Sequence, residues 1–453
     1  MSLLRTASFT VALVLSAFGG AASAEFDLEK TKRVLEREVD GLLTRGTASV
    51  SIALVREGEI VWTAAYGHSN VFARTKATPE TIYVTGSTFK AVTATALMQL
   101  VERGKIALDD RVNDHLSDTQ IEDDPTRPVT IRHLLSHVSG LQPGANTVGV
   151  WDRELPMSLE ELTSKLRAVR PPEEKYEYNN YAYGAAGYLI EQVTGVEYEA
   201  YVLEHILQPL GVETAGPVRP TPEMVERMAL PYFPTPGGPR PVAQTSFDVY
   251  PAGDIYLTAS DMARFLGAHL NGGAFGGGRI LTAASVAECH RHQFFDYGLG
   301  WGVGRGENAN LISHGGGVSG FTTTMIGDLE AKVGAYVMSN SGDVSRLGKL
   351  AIRLLRGEEV EERKTVVVAP EKLEAYVGEY RISPRFTLTV THEGEQLFVQ
   401  GTNQNRHELF AVSDTKFFLK AVEADVTFDP DQHGAVDRLV LRQGGDHVGR
   451  RIE

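Results

Sequence analysis

The chain has 453 residues, with 44 basic against 58 acidic side chains and a formal net charge of −14. That balance, without a basic cluster, argues against a nucleic-acid partner. The single cysteine, Cys289, excludes an intramolecular disulfide, so the fold must rest on its core, which this length can supply.

Residues 1–24 read as a secretory signal peptide. Arg5 precedes an apolar run, and Ala22-Ser23-Ala24 marks a cleavage site. The run is shorter than the roughly 20 residues a bilayer span needs. The expectation is export to the periplasm or beyond, with no membrane span after cleavage. Leu28, Val34, Leu35, Val39 and Leu42 recur at helical spacing, so 27–43 reads as an amphipathic helix. "SVSIALVREGEIVWTAAYG" then reads as a β-hairpin turning at Glu57-Gly58-Glu59. Helical patterns and Gly/Pro-rich loops fill the middle of the chain. The β pattern returns near residue 321, as a hairpin turning around Asp328-Leu329-Glu330, and a helix over 344–356 ends at Gly357. Strands at both ends with helices between suggest one mixed sheet with a helical region inserted. Residues 358–370 read as a charged linker. From 371 to 453 short β runs such as "FTLTV", "QLFVQ" and "DVTFDP" alternate with turn residues, which suits a small antiparallel barrel.

Three motifs carry the chemistry. In "TGSTFKAVTATALMQLVERG" a helical period starts at Ser87, which places Lys90 one turn on, along the same face. A serine hydroxyl needs a base, and a desolvated lysine can serve as one. A helix N-terminus also favours the negative charge that develops during attack. Ser-x-x-Lys alone is weak, since it recurs at Ser413–Lys416 in a β-rich segment. Its company decides. Tyr178-Asn179-Asn180 is the only Tyr-x-Asn in the chain, and His314-Gly315-Gly316-Gly317 precedes the returning β pattern. The bland readings are a capping serine with a solvated lysine, and packed aromatic residues. Asn180 is also the expected N-cap of a helix over 181–194.

In that order, the motifs resemble the penicillin-recognising serine hydrolases: class C β-lactamases, D-alanyl-D-alanine carboxypeptidases, D-aminopeptidases and related esterases. The likeness covers about 27–357, within an expected hydrolase domain over 25–357, and includes "VTIRHLLSHVSGL", "PAGDIYLTASDMARFLGAHLNGG" and "YGLGWGV". The region 371–453, with "LEAYVGEY", resembles the lipocalin-like barrel appended to such enzymes. The resemblance implies an α/β (α+β) fold: an antiparallel sheet flanked by helices, a helical subdomain, then the small all-β barrel. It implies Ser87 as acylated nucleophile, Lys90 as its proton acceptor and Tyr178 as proton shuttle. Asn180 would bind the substrate amide and orient Lys90, His314 would stand where β-lactamases usually carry lysine, and Ser87 and Gly317 would supply the oxyanion hole beside Gly316.

Two departures stand out. A partly protonated His314 removes a fixed charge for a substrate carboxylate, which turns the expectation from β-lactams toward peptides or amides, D-residues included. Asp254 in "PAGD" stands where relatives commonly have glycine. The expected enzyme needs no cofactor and no metal and acts on small molecules or short peptides. The other readings are a carboxylesterase, a weak β-lactamase and a catalytically silent binding protein.

Overall fold

The computed structural model describes residues 26–452, except 118, 143–147, 151–156, 214–219, 236, 361–364, 405, 420–423, 433 and 444. The expected signal peptide lies outside the described residues. The chain divides into two compact units, one ending at Glu359 and one beginning at Val360.

The first unit is built on a seven-stranded sheet assembled from both ends of its sequence. Its central strands are β1 (Ser49–Arg56), β2 (Glu59–Asn70), β3 (Leu311–Val318), β4 (Phe321–Asp328) and β5 (Val333–Ser339). They lie in the order β3-β4-β5-β1-β2, with Gly302–Val303 outside β3 and Thr75–Lys76 outside β2. The pairing is antiparallel throughout, not mixed. The turn between β1 and β2 puts Glu57 at φ 53° and Gly58 at φ 80°, the left-handed pair that a tight hairpin matched to strand twist requires. β1 is buried along nearly its whole length, which explains its unbroken run of apolar and small residues.

Helices cover both faces. α4 (Ala259–Leu270) approaches β4 and β5 so closely that Leu266 and Leu270 rest on Gly327 and Gly334. On the other face, α5 (Ser345–Leu355) brings Gly348 against Thr324 and Ile326, and α1 (Leu28–Thr44) packs beside it. Between the sheet's two halves in sequence lies the helical region. Its central member, α2 (Lys90–Glu102), is buried from Lys90 to Leu100 and so runs through the core rather than along the surface. α3 (Asn180–Thr194) packs against it. The helical subdomain expected between the two sets of strands is therefore present, and the site forms where it meets the sheet.

The second unit is a closed eight-stranded antiparallel barrel, each strand paired to the next and the last, Asp446–Ile452, to the first, Gly378–Ser383. A short helix, Pro370–Tyr376, lays Leu373 and Tyr376 into the barrel core, where Tyr376 stacks on Phe428 at 4.3 Å. The linker expected over 358–370 is in part ordered barrel: Val366 N–H donates to Ala411 O, and Val368 is buried in the barrel core. The second Ser-x-x-Lys, Ser413–Lys416, is a turn in which Ser413 Oγ accepts from the Lys416 N–H. Among the described residues, no helix is long and apolar enough to cross a membrane.

Candidate active site

Ser87 lies in a 3₁₀ turn, Gly86–Phe89, that feeds directly into α2, so Lys90 is the first residue of the α-helix proper. The turn is pinned to the sheet. Thr323 of β4 and Thr88 both donate to Thr85 O, at 2.7 and 2.8 Å, and the Thr88 hydroxyl also meets the Tyr336 hydroxyl at 2.7 Å. Along 81–90 only Ser87 is partly exposed; its neighbours are buried.

Lys90 is fully buried, and its Nζ donates to Ser87 Oγ at 3.1 Å and to Ala252 O at 2.9 Å. Burial drives its ammonium far below the ordinary lysine range. The amine lies 4.8 Å from the Tyr178 ring centroid and 5.5 Å from that of Tyr183. Tyr178 is 41% exposed, and Ser87 is the hydrogen-bonding side chain beside its hydroxyl. Desolvation raises the phenol above its usual value, and the bond to Ser87 only partly opposes that shift. An amine shifted toward its neutral form and a phenol held in its neutral form therefore flank the same hydroxyl. The charge state that suits a base belongs to Lys90.

The structure corrects the cap of α3. Asn179, not Asn180, is the N-cap, accepting from Tyr181 N–H at 2.9 Å and Ala182 N–H at 3.3 Å. Asn179 has the extended backbone a cap needs, whereas Asn180 is already helical. Released from capping, Asn180 lines the cavity beside Ser87.

His314, Gly315, Gly316 and Gly317 lie within β3 rather than ahead of the returning β pattern. Three glycines have low β-propensity, and pairing with β4 overrides it. Past Ser313, the edge of β3 away from β4 has no strand partner among the described residues and packs against the Ser87 turn. Backbones approach closely there: a methyl built on Gly316 would lie 2.6 Å from Thr85 O and 3.1 Å from Ser87 N, and would overlap Thr323 Oγ1. At Gly315 and Gly317 a methyl meets nothing within 4 Å. Gly316→Ala should therefore displace the strand from the nucleophile and lower kcat about 10²–10³-fold, the cost of losing one oxyanion donor. Gly317→Ala should keep the fold and the rate of labelling of Ser87 by a small fluorophosphonate. Equal labelling rates in the two variants would refute this division.

His314 is buried, and burial together with Lys90 pushes its imidazole down to about 3. The partial protonation expected from sequence is corrected: this histidine is neutral at neutral pH. Its tautomer follows from its partners. Nδ1 donates to Gly315 O at 2.7 Å, so Nε2 accepts from the Tyr297 hydroxyl at 2.8 Å.

Sequence reasoning missed His137. It sits at φ 61°, with ring centroids of Tyr178, Tyr297, Tyr183 and Tyr176 at 4.3, 4.8, 5.2 and 5.9 Å. Its Nδ1 accepts from Asn179 N–H at 3.1 Å and its carbonyl from Glu177 N–H at 2.8 Å. These two bonds straddle Tyr178 and fix the segment that carries it. The only trace in sequence was its place inside "VTIRHLLSHVSGL". Of the five tyrosines between 176 and 188, Tyr183 and Tyr188 are buried, and Tyr183 donates to Leu135 O at 2.7 Å.

Residues 34–357 match the family described as Beta-lactamase, and residues 362–449 match one described only as a domain of unknown function. Penicillin-binding protein 4* of Bacillus subtilis (strain 168) is 25% identical over 425 residues, 87% of this chain and 93% of that protein. The octameric penicillin-binding protein homologue from Pyrococcus abyssi aligns with a TM-score of 0.63 at 24% identity, covering 94% of this chain and all of the other. The D-amino acid amidase of Ochrobactrum anthropi SV3 aligns at 0.58 and 24% identity, over 72% of this chain and 98% of its own. At these identities the structural matches speak for the fold.

Proposed function

Since this chain belongs to the beta-lactamase family of serine hydrolases, we propose that it hydrolyses small amides and short peptides, D-residues included, through an acyl-enzyme on Ser87. The observation that carries the reading is the buried, depressed amine of Lys90 at 3.1 Å from Ser87 Oγ. Neutral Lys90 takes the hydroxyl proton as Oγ attacks the carbonyl carbon. The backbone N–H groups of Ser87 and Gly317 hold the developing oxyanion. The Tyr178 phenol relays a proton to the departing amine, and water then releases the acid from Ser87. Asn180 takes the substrate amide from the cavity wall. His137 is the positioning residue that holds Tyr178 in place.

Neutral His314 supports amides over β-lactams, because it offers no cation to a substrate carboxylate. Residues 1–24 serve as export signal and 25–357 as the hydrolase, with a short link after it and an accessory barrel whose packing begins by Val366. The enzyme works in the periplasm or outside the cell, without metal or cofactor. Its partners are its substrates, with no role for nucleic acid.

Mass spectrometry after treatment with a fluorophosphonate tests the nucleophile: the adduct is expected on Ser87 and absent from Ser87→Ala. Initial rates on D-alanyl-p-nitroanilide, p-nitrophenyl butyrate and nitrocefin test the substrate class. Turnover of the ester alone would replace the amide reading with a carboxylesterase, and no adduct on Ser87 would leave a binding protein.

A further inference from the structure

Beside Ser87 is a cavity of about 160 Å³, whose walls include Asn180, Phe247, Val249, Asp254 and Gly317. At about 30 Å³ per water it holds roughly five waters, room for a small aminoacyl group. Among the described residues lining it, Asp254 alone carries an acid or a base. Asp254 is 1% exposed. Its Oδ2 accepts from Phe247 N–H at 2.9 Å, while its Oδ1 has no hydrogen-bond partner. The hydroxyls of Ser246 and Tyr256 are near enough to favour the charged carboxylate without closing a hydrogen bond on Oδ1. A buried carboxylate oxygen left unfilled is costly, and a ligand N–H would relieve it.

The other ionisable groups at the site leave this acid uncompensated. Lys90 is engaged by Ser87 and Ala252, and His314 is neutral. Burial pushes the Asp254 carboxyl up to about 7, so an arriving cation would restore its ionised form. The segment is also mechanically tied to the chemistry: Ala252, two residues earlier, carries the carbonyl that holds Lys90, and the backbone at Gly253 packs directly on Gly86 and Ser87.

We propose that Asp254 is the anchor for an ammonium group on the acyl half of the substrate, so that the site selects amides of amino acids whose α-amine is free. The proposal rests on the amide-hydrolase reading above and narrows it. A merely structural role, bracing Phe247, is the competing explanation. Asp254→Asn separates the two, because the amide oxygen can still accept from Phe247 N–H.

The rate of fluorophosphonate labelling of Ser87 is measured with D-alaninamide or propionamide as competitor, in wild type and in Asp254→Asn. In the wild type D-alaninamide should protect at concentrations about tenfold or more below those propionamide needs, the scale of a charge-assisted hydrogen bond. In Asp254→Asn that advantage should vanish. Equal protection by both amides in the wild type overturns the proposal, and so does an advantage that survives in the variant. Should Asp254→Asn fail to label at all, Asp254→Ser replaces it, and the wild-type comparison stands regardless. The preference for D-alanyl- over propionyl-p-nitroanilide should likewise fall through KM rather than kcat. Selective protection by the amine without turnover of either anilide would remove the amide-hydrolase reading and keep the anchor. Turnover of both anilides without preference would do the reverse.

Discussion

Lys90→Met should lower kcat/KM by about 10²–10⁴-fold, the usual contribution of a positioned base, while the protein melts at the same temperature or higher. The two halves of this expectation have one cause. In the fold, Lys90 is fully buried with a depressed pKa, and its amine is satisfied by Ser87 Oγ and Ala252 O. Desolvating that amine costs stability, which the enzyme recovers only as chemistry. Methionine fills a similar volume without the polar group, so the packing survives and the desolvation cost disappears. Ala252 O loses its donor, a smaller penalty that sets the limit on any gain. Fluorophosphonate labelling of Ser87, read beside a thermal melt, checks both halves. A variant that melts well below the wild type would show that Lys90 is structural as well as chemical. One that labels at the wild-type rate would remove Lys90 from the mechanism.

Acid should destabilise this protein well above the pH at which exposed carboxylates titrate. Four histidines, His137, His269, His290 and His314, are buried, and burial depresses each of them, His290 and His314 to about 3. Unfolded, each binds a proton below about 6.5. Their contribution is complete above that value and is lost progressively as pH falls below it. Asp254 and Glu191 act in the opposite sense. Burial raises both to about 7, so the fold holds their protons between roughly 4 and 7 while the unfolded chain gives them up, and the stability they lend fades as pH rises. Two of the four histidines are thus offset. The depressed His137 and His269 remain, so the unfolded chain binds more protons than the fold and stability falls as pH drops below about 6.5. Urea midpoints at pH 7, 6 and 5 measure it, and flat or rising stability on acidification would contradict it.

The parts of the site legible in the sequence are those whose signal is local. Ser87 and Lys90 are one helical turn apart, Tyr178 and Asn180 sit two positions apart, and the hairpin at Glu57-Gly58 announces itself through turn chemistry. The barrel strands alternate in the period that a closed sheet imposes, although Arg406–Ala411 and Asp446–Ile452 were hidden by their charged residues. What was not legible depends on partners distant in sequence. β3 looks like a glycine loop until β4 pairs with it. His137 becomes meaningful only when four tyrosines from two separate segments close around it. The neutrality of His314 and the raised carboxyl of Asp254 arise from burial, which no motif encodes. The choice of Asn179 over Asn180 as cap turned on which residue keeps an extended backbone.

The way the sheet is laced together also sets a timetable for synthesis. β1 pairs with β5, and Ser339 Oγ donates to Ser49 O across 290 residues. A chain made N-end first at about 5–20 residues per second leaves β1 without that neighbour for roughly a quarter of a minute to a minute. Throughout that interval an apolar strand, buried along nearly its whole length in the finished fold, has an open edge. The nucleophile emerges early, but Gly317 and the strand that carries it come more than 200 residues later. The chain is therefore without catalytic power for most of its synthesis, and a product truncated before β3 should be both inactive and prone to aggregate.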